Sequence, residues 1–210
     1  GALISVACFA AGTRIRTETG EVPVERLRLG ELVVTHDGAL RPIIWHGRRH
    51  VDCARHPMPT SIWPIRIARD AFGAGLPRRA LWLSPDHAIF AEGVLIPVKH
   101  LVNGVTIRQE SIDRITYVHI ELPQHDVILA EGLPAESYLD TGDRRSFGGD
   151  VTGLHPAWSV ERTEVSLVFE GLGRAPLRVA GPEVERARAT LAARAEATGR
   201  GKRRSLRKAP

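Results

Sequence analysis

The strongest constraint on this chain is that part of it is written twice. Pro23-Val24-Glu25-Arg26-Leu27-Arg28-Leu29-Gly30 is echoed by Pro97-Val98-Lys99-His100-Leu101-Val102-Asn103-Gly104, with Pro, Val, Leu and Gly recurring at one constant offset. Ile15 and Glu18 match Ile89 and Glu92 at the same offset, whereas Gly20 and Gly93 align only across a one-residue gap. A repeated strand and turn unit predicts two β halves related by a pseudo-twofold axis, with the first strand of one half near the first strand of the other. Cys8 precedes the first copy and His87 the second, so the duplication predicts comparable positions for the two.

The surrounding pattern agrees with a predominantly β domain. Thr13 to Thr17 alternates, Glu18-Thr19-Gly20 turns, and Val22-Pro23-Val24 resumes. Leu32-Val33-Val34 is another short strand, and His36-Asp37-Gly38 is a hairpin signal whose Asp-Gly pair supplies positive-φ positions. Residues 53 to 64 hold three prolines and read as a loop. Further strands are expected at 81–83, 88–90, 94–96, 105–107, 115–122 and 127–130. Twenty Gly, fourteen Pro and only 5% aromatic residues suit many turns and short strands better than long helices.

Gly142 to Gly153 is rich in Gly and Asp and marks a boundary. Beyond it, Val165 to Phe169 and Leu177 to Val179 are expected strands. Val184, Ala187, Leu191 and Ala195 then fall at helical spacing, with Pro182 at the start and Gly199 past the end. The expected organisation is upstream residues over 1–7 and a β domain over 8–140. A linker comes next over 141–153, then a small α/β extension over 154–198 and a basic disordered tail over 199–210.

Charge and cysteine usage narrow the function classes. Arg174 to Pro210 carries eleven Lys or Arg against three Glu, which leaves the preceding residues net acidic although the whole chain is +5. We read this tail as a solvated terminus rather than a specific nucleic-acid arm. No run approaches the roughly 18 apolar residues of a membrane span. Gly1 to Ala7 is too short and uncharged for a secretory signal, and a start at Gly rather than Met is as expected if an upstream segment had been removed. Cys8 and Cys53 make neither a disulfide framework nor a zinc spacing. A nucleophile is the sharper reading of Cys8, and a small core or loop residue that of Cys53. His36, His46, His50, His56 and His100 are expected as surface or loop groups.

Three blocks carry a resemblance. Cys8-Phe9-Ala10-Ala11-Gly12-Thr13-Arg14-Ile15, continuing through Gly20 and Leu27 to Gly30-Glu31-Leu32-Val33, resembles the opening of Hint domains, the module of inteins, hedgehog autoprocessing domains and bacterial intein-like domains. Leu83-Ser84-Pro85-Asp86-His87-Ala88-Ile89-Phe90 is similar to the family's Thr-x-x-His block. Tyr117 to Leu122, with Gln124 to Gly132, is similar to its closing strands. The blocks stand in family order over residues 8 to about 137 and look most like the bacterial group found in large, often exported proteins. The implied fold is the all-β, pseudo-twofold, horseshoe-like Hint fold. The implied activity is self-processing, without metal or cofactor.

In that chemistry the Cys8 sulfur attacks the carbonyl of Ala7, its own upstream neighbour, giving a thioester open to water, a thiol or an amine. The resemblance makes His87 the general acid for the leaving amine of Cys8. It makes Ser84 the group that orients the scissile amide or steadies the oxyanion. His125 matches a His of the closing block, and His119 stands where inteins frequently have Asp. Either would assist deprotonation of Cys8 or proton traffic at the amide, with Asp126 a weaker candidate. The substrate partner is the chain's own upstream polypeptide.

Two departures matter. Ser84 replaces the commoner Thr and keeps the hydroxyl. Glu136-Ser137 stands where splicing inteins place Asn followed by Ser, Thr or Cys, and Glu cannot cyclise to a succinimide. Cleavage at Cys8 without full splicing is therefore expected. Sterol transfer lacks a recognition region. Two alternatives stay open: an inert Hint-like interaction module with Cys8 merely buried, and a cysteine hydrolase acting in trans. A lipoprotein signal at Ser5-Val6-Ala7-Cys8 is opposed by the polar Ser5 and the missing upstream regions.

Overall fold

The computed structural model describes residues 7–139 and 173–206, with backbone alone over 198–206. The expected linker and the expected strand at Val165 to Phe169 lie outside the described residues. Among the described residues the strands are, in chain order, β1 (Phe9–Ala10), β2 (Arg14–Thr17), β3 (Gly20–Pro23), β4 (Leu32–Val34) and β5 (Leu40–Pro42). They continue as β6 (Trp45–Asp52), β7 (Ile65–Ile67), β8 (Leu81–Leu83), β9 (Ala88–Ala91) and β10 (Val94–Pro97). The last are β11 (Ile107–Gln109), β12 (Arg114–Glu121), β13 (Val127–Ala130) and β14 (Leu133–Glu136), ahead of one helix, α1 (Pro182–Leu206).

The strands pair antiparallel in two sheets. One runs β11-β7-β8-β1-β12-β6, and the other β10-β9-β14-β13-β2-β4-β5, with β3 also paired to β2. The principal core is formed by fully buried Phe9, Ile15, Ile65, Leu83, Ile89, Ile96, Val118 and their neighbours from both sheets. This is the expected all-β fold with a small helical element at its C-terminal end.

The written duplication is visible as two hairpins. In β2–β3, Arg14 faces Pro23 and Thr17 faces Gly20. In β9–β10, Ala88 faces Pro97 and Ala91 faces Val94. The two are equal in length, so the gap expected from Gly20 and Gly93 is absent. The glycines occupy different places, Gly93 sitting inside a two-residue turn in which Glu92 and Gly93 both have positive φ, the geometry that hairpin twist favours. Each hairpin ends at a proline, which has no N–H to continue the ladder, and each proline opens a 3-10 turn. Pro23 lies at φ −57, ψ 132 before Val24–Arg26. Pro97 lies at φ −56, ψ 130 before Val98–Leu101.

β1 and β8 pair at Phe9 and Leu83, two residues separated by the same offset as the repeat. The pseudo-twofold axis therefore passes through that pair. This corrects the expected equivalence of Cys8 and His87. The counterpart of His87 is Thr13, and both offer their carbonyls to the valine that opens the 3-10 turn (Val24 to Thr13 at 2.7 Å, Val98 to His87 at 2.9 Å).

Other differences have local causes. β6 is absent from the expected strands because it is crowded with His46, Arg48, Arg49, His50 and Asp52. It is an edge strand, where charge protects the exposed ladder, and it pairs with β12 from Trp45–Glu121 to Asp52–Arg114. The strand expected at 105–107 begins only at Ile107. Asn103 Oδ1 accepts the N–H groups of Val105, Thr106 and Ile107 at 2.9–3.0 Å and holds them in a turn. In the β4–β5 loop only Gly38 has positive φ. Asp37 acts through its side chain instead, accepting the Thr35 hydroxyl.

Leu177 makes a single parallel bridge to Leu95 rather than a strand of its own. The helix buries Val184, Ala187, Leu191 and Ala195, the four expected positions. Arg188 Nε donates to the His100 carbonyl (2.7 Å) beside it. α1 continues to Leu206, so residues 199–206 are helical rather than part of a disordered tail. A helical glycine costs only about 1 kcal/mol against Ala, so Gly199 does not end the helix.

Leu191 is 2% exposed within the principal core. Leu191→Ala is expected to lower stability to urea by about 2–5 kcal/mol, while exposed Thr190→Ala stays within about 0.5 kcal/mol. Equal effects would mean that the helix is no part of the cooperative fold.

Candidate active site

Cys8 enters the fold immediately before β1, which is flanked by β8 and β12. Ser84, just after β8, donates its N–H to the Cys8 carbonyl at 2.9 Å. In return the Cys8 N–H donates to Ser84 Oγ at 2.7 Å. The amide between Ala7 and Cys8 is thus held by a serine hydroxyl. Cys8 itself is 2% exposed.

The three-residue spacing of Ser84 and His87 has a simple origin. His87 N–H donates to the Ser84 carbonyl at 3.1 Å, closing a β-turn with Pro85 at the position whose φ proline presets. Lys99 fastens this turn through its N–H to the Pro85 carbonyl and its ammonium to Asp86. Hydroxyl and imidazole therefore sit at the two ends of one rigid turn.

His87 is completely buried. Its ring lies 4.2 Å from that of Phe9 and stacks on His119 at 5.1 Å and 16°. Neither ring nitrogen has a hydrogen-bond partner among the described residues. Burial pushes its pKa down to about 3, although the backbone of Cys8 and of Glu136 pulls toward the charged form.

His119 reaches the site because β12 alternates. Val118 and Ile120 enter the principal core, while Tyr117 joins Cys8, Trp45 and Tyr138 in a second cluster. His119 Nδ1 meets the Ala7 carbonyl oxygen, and its Nε2 is buried without a hydrogen-bond partner among the described residues. Burial, and after it the neighbouring His87, His125 and His46, drives its pKa well below the ordinary imidazole value. Tyr138 closes the far side, edge-on to His119 at 5.2 Å and 4.9 Å from Trp45. Its N–H donates to the Ile120 carbonyl at 2.8 Å. Tyr117 donates its hydroxyl to the Ile62 carbonyl at 2.7 Å, and burial raises its pKa.

His125 and Asp126 stand just before β13. His125 Nδ1 accepts the Arg174 N–H at 3.1 Å, and its Nε2 lies 3.7 Å from Glu136 Oε2. The other Glu136 oxygen accepts the N–H of Ala88, next to His87, at 2.7 Å. Burial raises the Glu136 pKa, opposed by His125 beside it. Asp126 N–H donates to Ser137 Oγ at 2.9 Å, and the Asp126 carboxylate faces Arg41 and Arg174 at 3.7 and 3.5 Å.

The structure thus gathers Ala7, Cys8, Ser84, His87 and His119 directly, and places His125 beside Glu136. Sequence reasoning misses Glu136, which it marks only as standing where an Asn is wanted. The available signal is a carboxylate in the strand after buried Leu133 and Ala135, since a buried Glu needs a partner. Trp45 and Tyr138 are not singled out either, because an aromatic wall has no spacing signature. Cys53 is fully buried, and burial raises its thiol pKa. Among the described residues no group of His, Cys, Asp and Glu is arranged to hold a metal ion.

Comparison with curated proteins gives no match. Among solved structures, the bacterial intein-like domain from Clostridium thermocellum is 14% identical with a TM-score of 0.47, over 62% of this chain and 98% of that one. The gp41-1 intein is 12% identical with a TM-score of 0.46, over 62% and 98%. The MchDnaB-1 intein is 12% identical with a TM-score of 0.44, over 62% and 99%. The sequence profile of the Hint domain matches residues 7–142. Since that span is well over half of the chain, this protein belongs to the Hint domain family of self-processing protein domains.

Proposed function

We propose that this domain breaks the Ala7–Cys8 peptide bond by an N–S acyl shift and releases its upstream polypeptide by resolution of the thioester. The observation that carries this reading is the hold on the scissile amide. Its N–H rests on Ser84 Oγ and its carbonyl on His119, with His87 stacked alongside.

An amide resists attack by a neutral thiol, and a free amine leaves only after protonation. Here nucleophile and carbonyl belong to adjacent residues, so positioning replaces an encounter and supplies several kcal/mol of the barrier. The Cys8 S–H proton passes to neutral His87 as sulfur bonds to the Ala7 carbonyl carbon. The C–N bond then breaks as His87 returns the proton to the Cys8 nitrogen. The products are an Ala7 thioester and a free Cys8 amine. Water then adds across the thioester to give an Ala7 carboxylate and the Cys8 thiol, and an external thiol or amine takes the acyl group in the same way.

This assigns His87 a two-way role rather than that of an acid charged at rest. With a pKa of about 3, only roughly one ring in ten thousand carries the extra proton at pH 7. The proton it gives must be the one it has just received. Glu136 and His125 act as positioning residues through the Ala88 N–H beside His87. Glu136 lacks the side-chain amide nitrogen that cyclisation requires, so the downstream bond stays intact.

A fusion carrying a folded reporter directly upstream of Gly1 is expected to release a fragment ending at Ala7, faster with a small thiol and not at all in Cys8→Ala. Intact mass reads the result, and a fusion stable under every condition would favour the inert module. The single-turnover rate is expected to hold level from about pH 5.5 to 7.5, because the ring stays neutral throughout that range. An imidazolium acid with the ordinary pKa of about 6.5 would instead lose about tenfold per pH unit above it, and such a decline would overturn the shuttle.

A further inference from the structure

Resting on the autocleavage reading, the geometry points to a defined part for His119: its ring donates an Nδ1–H hydrogen bond to the Ala7 carbonyl and stabilises the oxyanion that forms there when Cys8 attacks. His119 is then a catalytic residue on the carbonyl side, distinct from a base that deprotonates the thiol.

The assignment rests on donor and acceptor chemistry. His119 Nδ1 faces the Ala7 carbonyl oxygen. A carbonyl oxygen only accepts, so the ring proton of a neutral imidazole must lie on Nδ1. Nε2 is then the bare nitrogen, and it lies buried without a hydrogen-bond partner among the described residues. Ser84 Oγ accepts from the Cys8 N–H and so holds the opposite side of the same amide. One hydroxyl and one imidazole thus divide the scissile group between them.

The surroundings favour a neutral ring. His119 is 0% exposed, stacked on His87 from the turn before β9, and bordered by Phe9 of β1 and Tyr138 after β14. Cys8 precedes β1 beside it, His46 on β6 and His125 before β13 act on it, and Glu121 lies two residues along its own strand. Burial and the three other imidazoles all oppose a second proton. A neutral donor fixed before the reaction starts needs no reorientation as negative charge grows on the oxygen, and removal of one such donor slows comparable reactions about 10²–10³-fold.

The family resemblance alone suggests a different part, because inteins frequently have Asp at this position. A carboxylate only accepts, and it would set lone pairs against the Ala7 oxygen. An asparagine amide offers an N–H from nearly the same distance along the side chain as Nδ1.

The test uses the full chain with its upstream reporter. Single-turnover cleavage is measured for His119→Asn, His119→Ala and His119→Asp, with thermal unfolding of each to check the fold. In parallel, 15N-histidine NMR of the uncleavable Cys8→Ala fusion reads the His119 tautomer at about pH 7, where an ordinary imidazole is mostly neutral. The expected result is a neutral Nδ1–H ring. His119→Asn should cleave within about tenfold of wild type, with His119→Ala down about 10²–10³-fold and His119→Asp at least as low. A carboxylate that matches the wild-type rate, or an Nε2–H or doubly protonated ring, would overturn the donor assignment. A wild-type fusion that never cleaves sinks the autocleavage reading and the catalytic role with it, while the NMR signal still decides the hydrogen bond. Should the variants unfold, an Nδ1–H signal supports the assignment and any other tautomer overturns it.

Discussion

The contact between Cys8 and Ser84 governs the geometry of the whole site, because it is a strand rung with one partner exchanged. β1 and β8 pair antiparallel at Phe9 and Leu83, and one residue further along Ser84 N–H reaches the Cys8 carbonyl. An ordinary antiparallel ladder pairs backbone groups with backbone groups. Here the Cys8 N–H goes to Ser84 Oγ, while the Ser84 carbonyl takes the His87 N–H that closes the turn. The Ala7–Cys8 amide is therefore fixed by a hydroxyl rather than by the sheet itself. The substitution of Ser for the commoner Thr keeps that hydroxyl. The same exchange forms the turn that brings His87 into the core.

Burial then decides which form the histidines take. Two imidazoles stacked 5.1 Å apart inside the protein do not hold two positive charges, and desolvation favours the neutral form of each. A proton that enters this pair is under pressure to leave again. Such a pair suits transfer within one reaction step better than storage of a charge between steps. Glu136 and His125 lie behind it as a second buried couple, whose carboxylate is tied to the backbone next to His87. The site is polar around the Ala7–Cys8 amide and enclosed by Phe9, Trp45, Tyr117 and Tyr138.

The duplication was legible because it is carried by residues with strong local rules: a proline that ends a strand, a valine that enters the core, a glycine that turns. The helix was legible through Val184, Ala187, Leu191 and Ala195, since burial on one face leaves a period. β6 was not, because an edge strand facing solvent obeys charge rather than alternation. The relation between the halves was misjudged for a different reason. Sequence order puts Cys8 and His87 each before a copy, although the repeat's own offset already sets His87 against Thr13, and the pairing of Phe9 with Leu83 then shows where the axis passes. Cys8, Ser84 and His87 could be named from their resemblance to the opening and Thr-x-x-His blocks of Hint domains, whereas the contact of His119 with Ala7 depends on the register of β12 against β1.

The register of β14 against β9, which sets Ala135 opposite Ile89, brings Glu136 to the backbone beside His87. Glu136 gives one oxygen to the Ala88 N–H and turns the other toward His125. A buried acceptor at this point satisfies an N–H of β9 that would otherwise lie unpaired in the core. It also fixes the backbone from which the His87 ring projects. Glu136 thus supports the geometry around His87. In the proposed reaction the domain acts on the bond before Cys8 alone, and Glu136 serves as scaffold for His87.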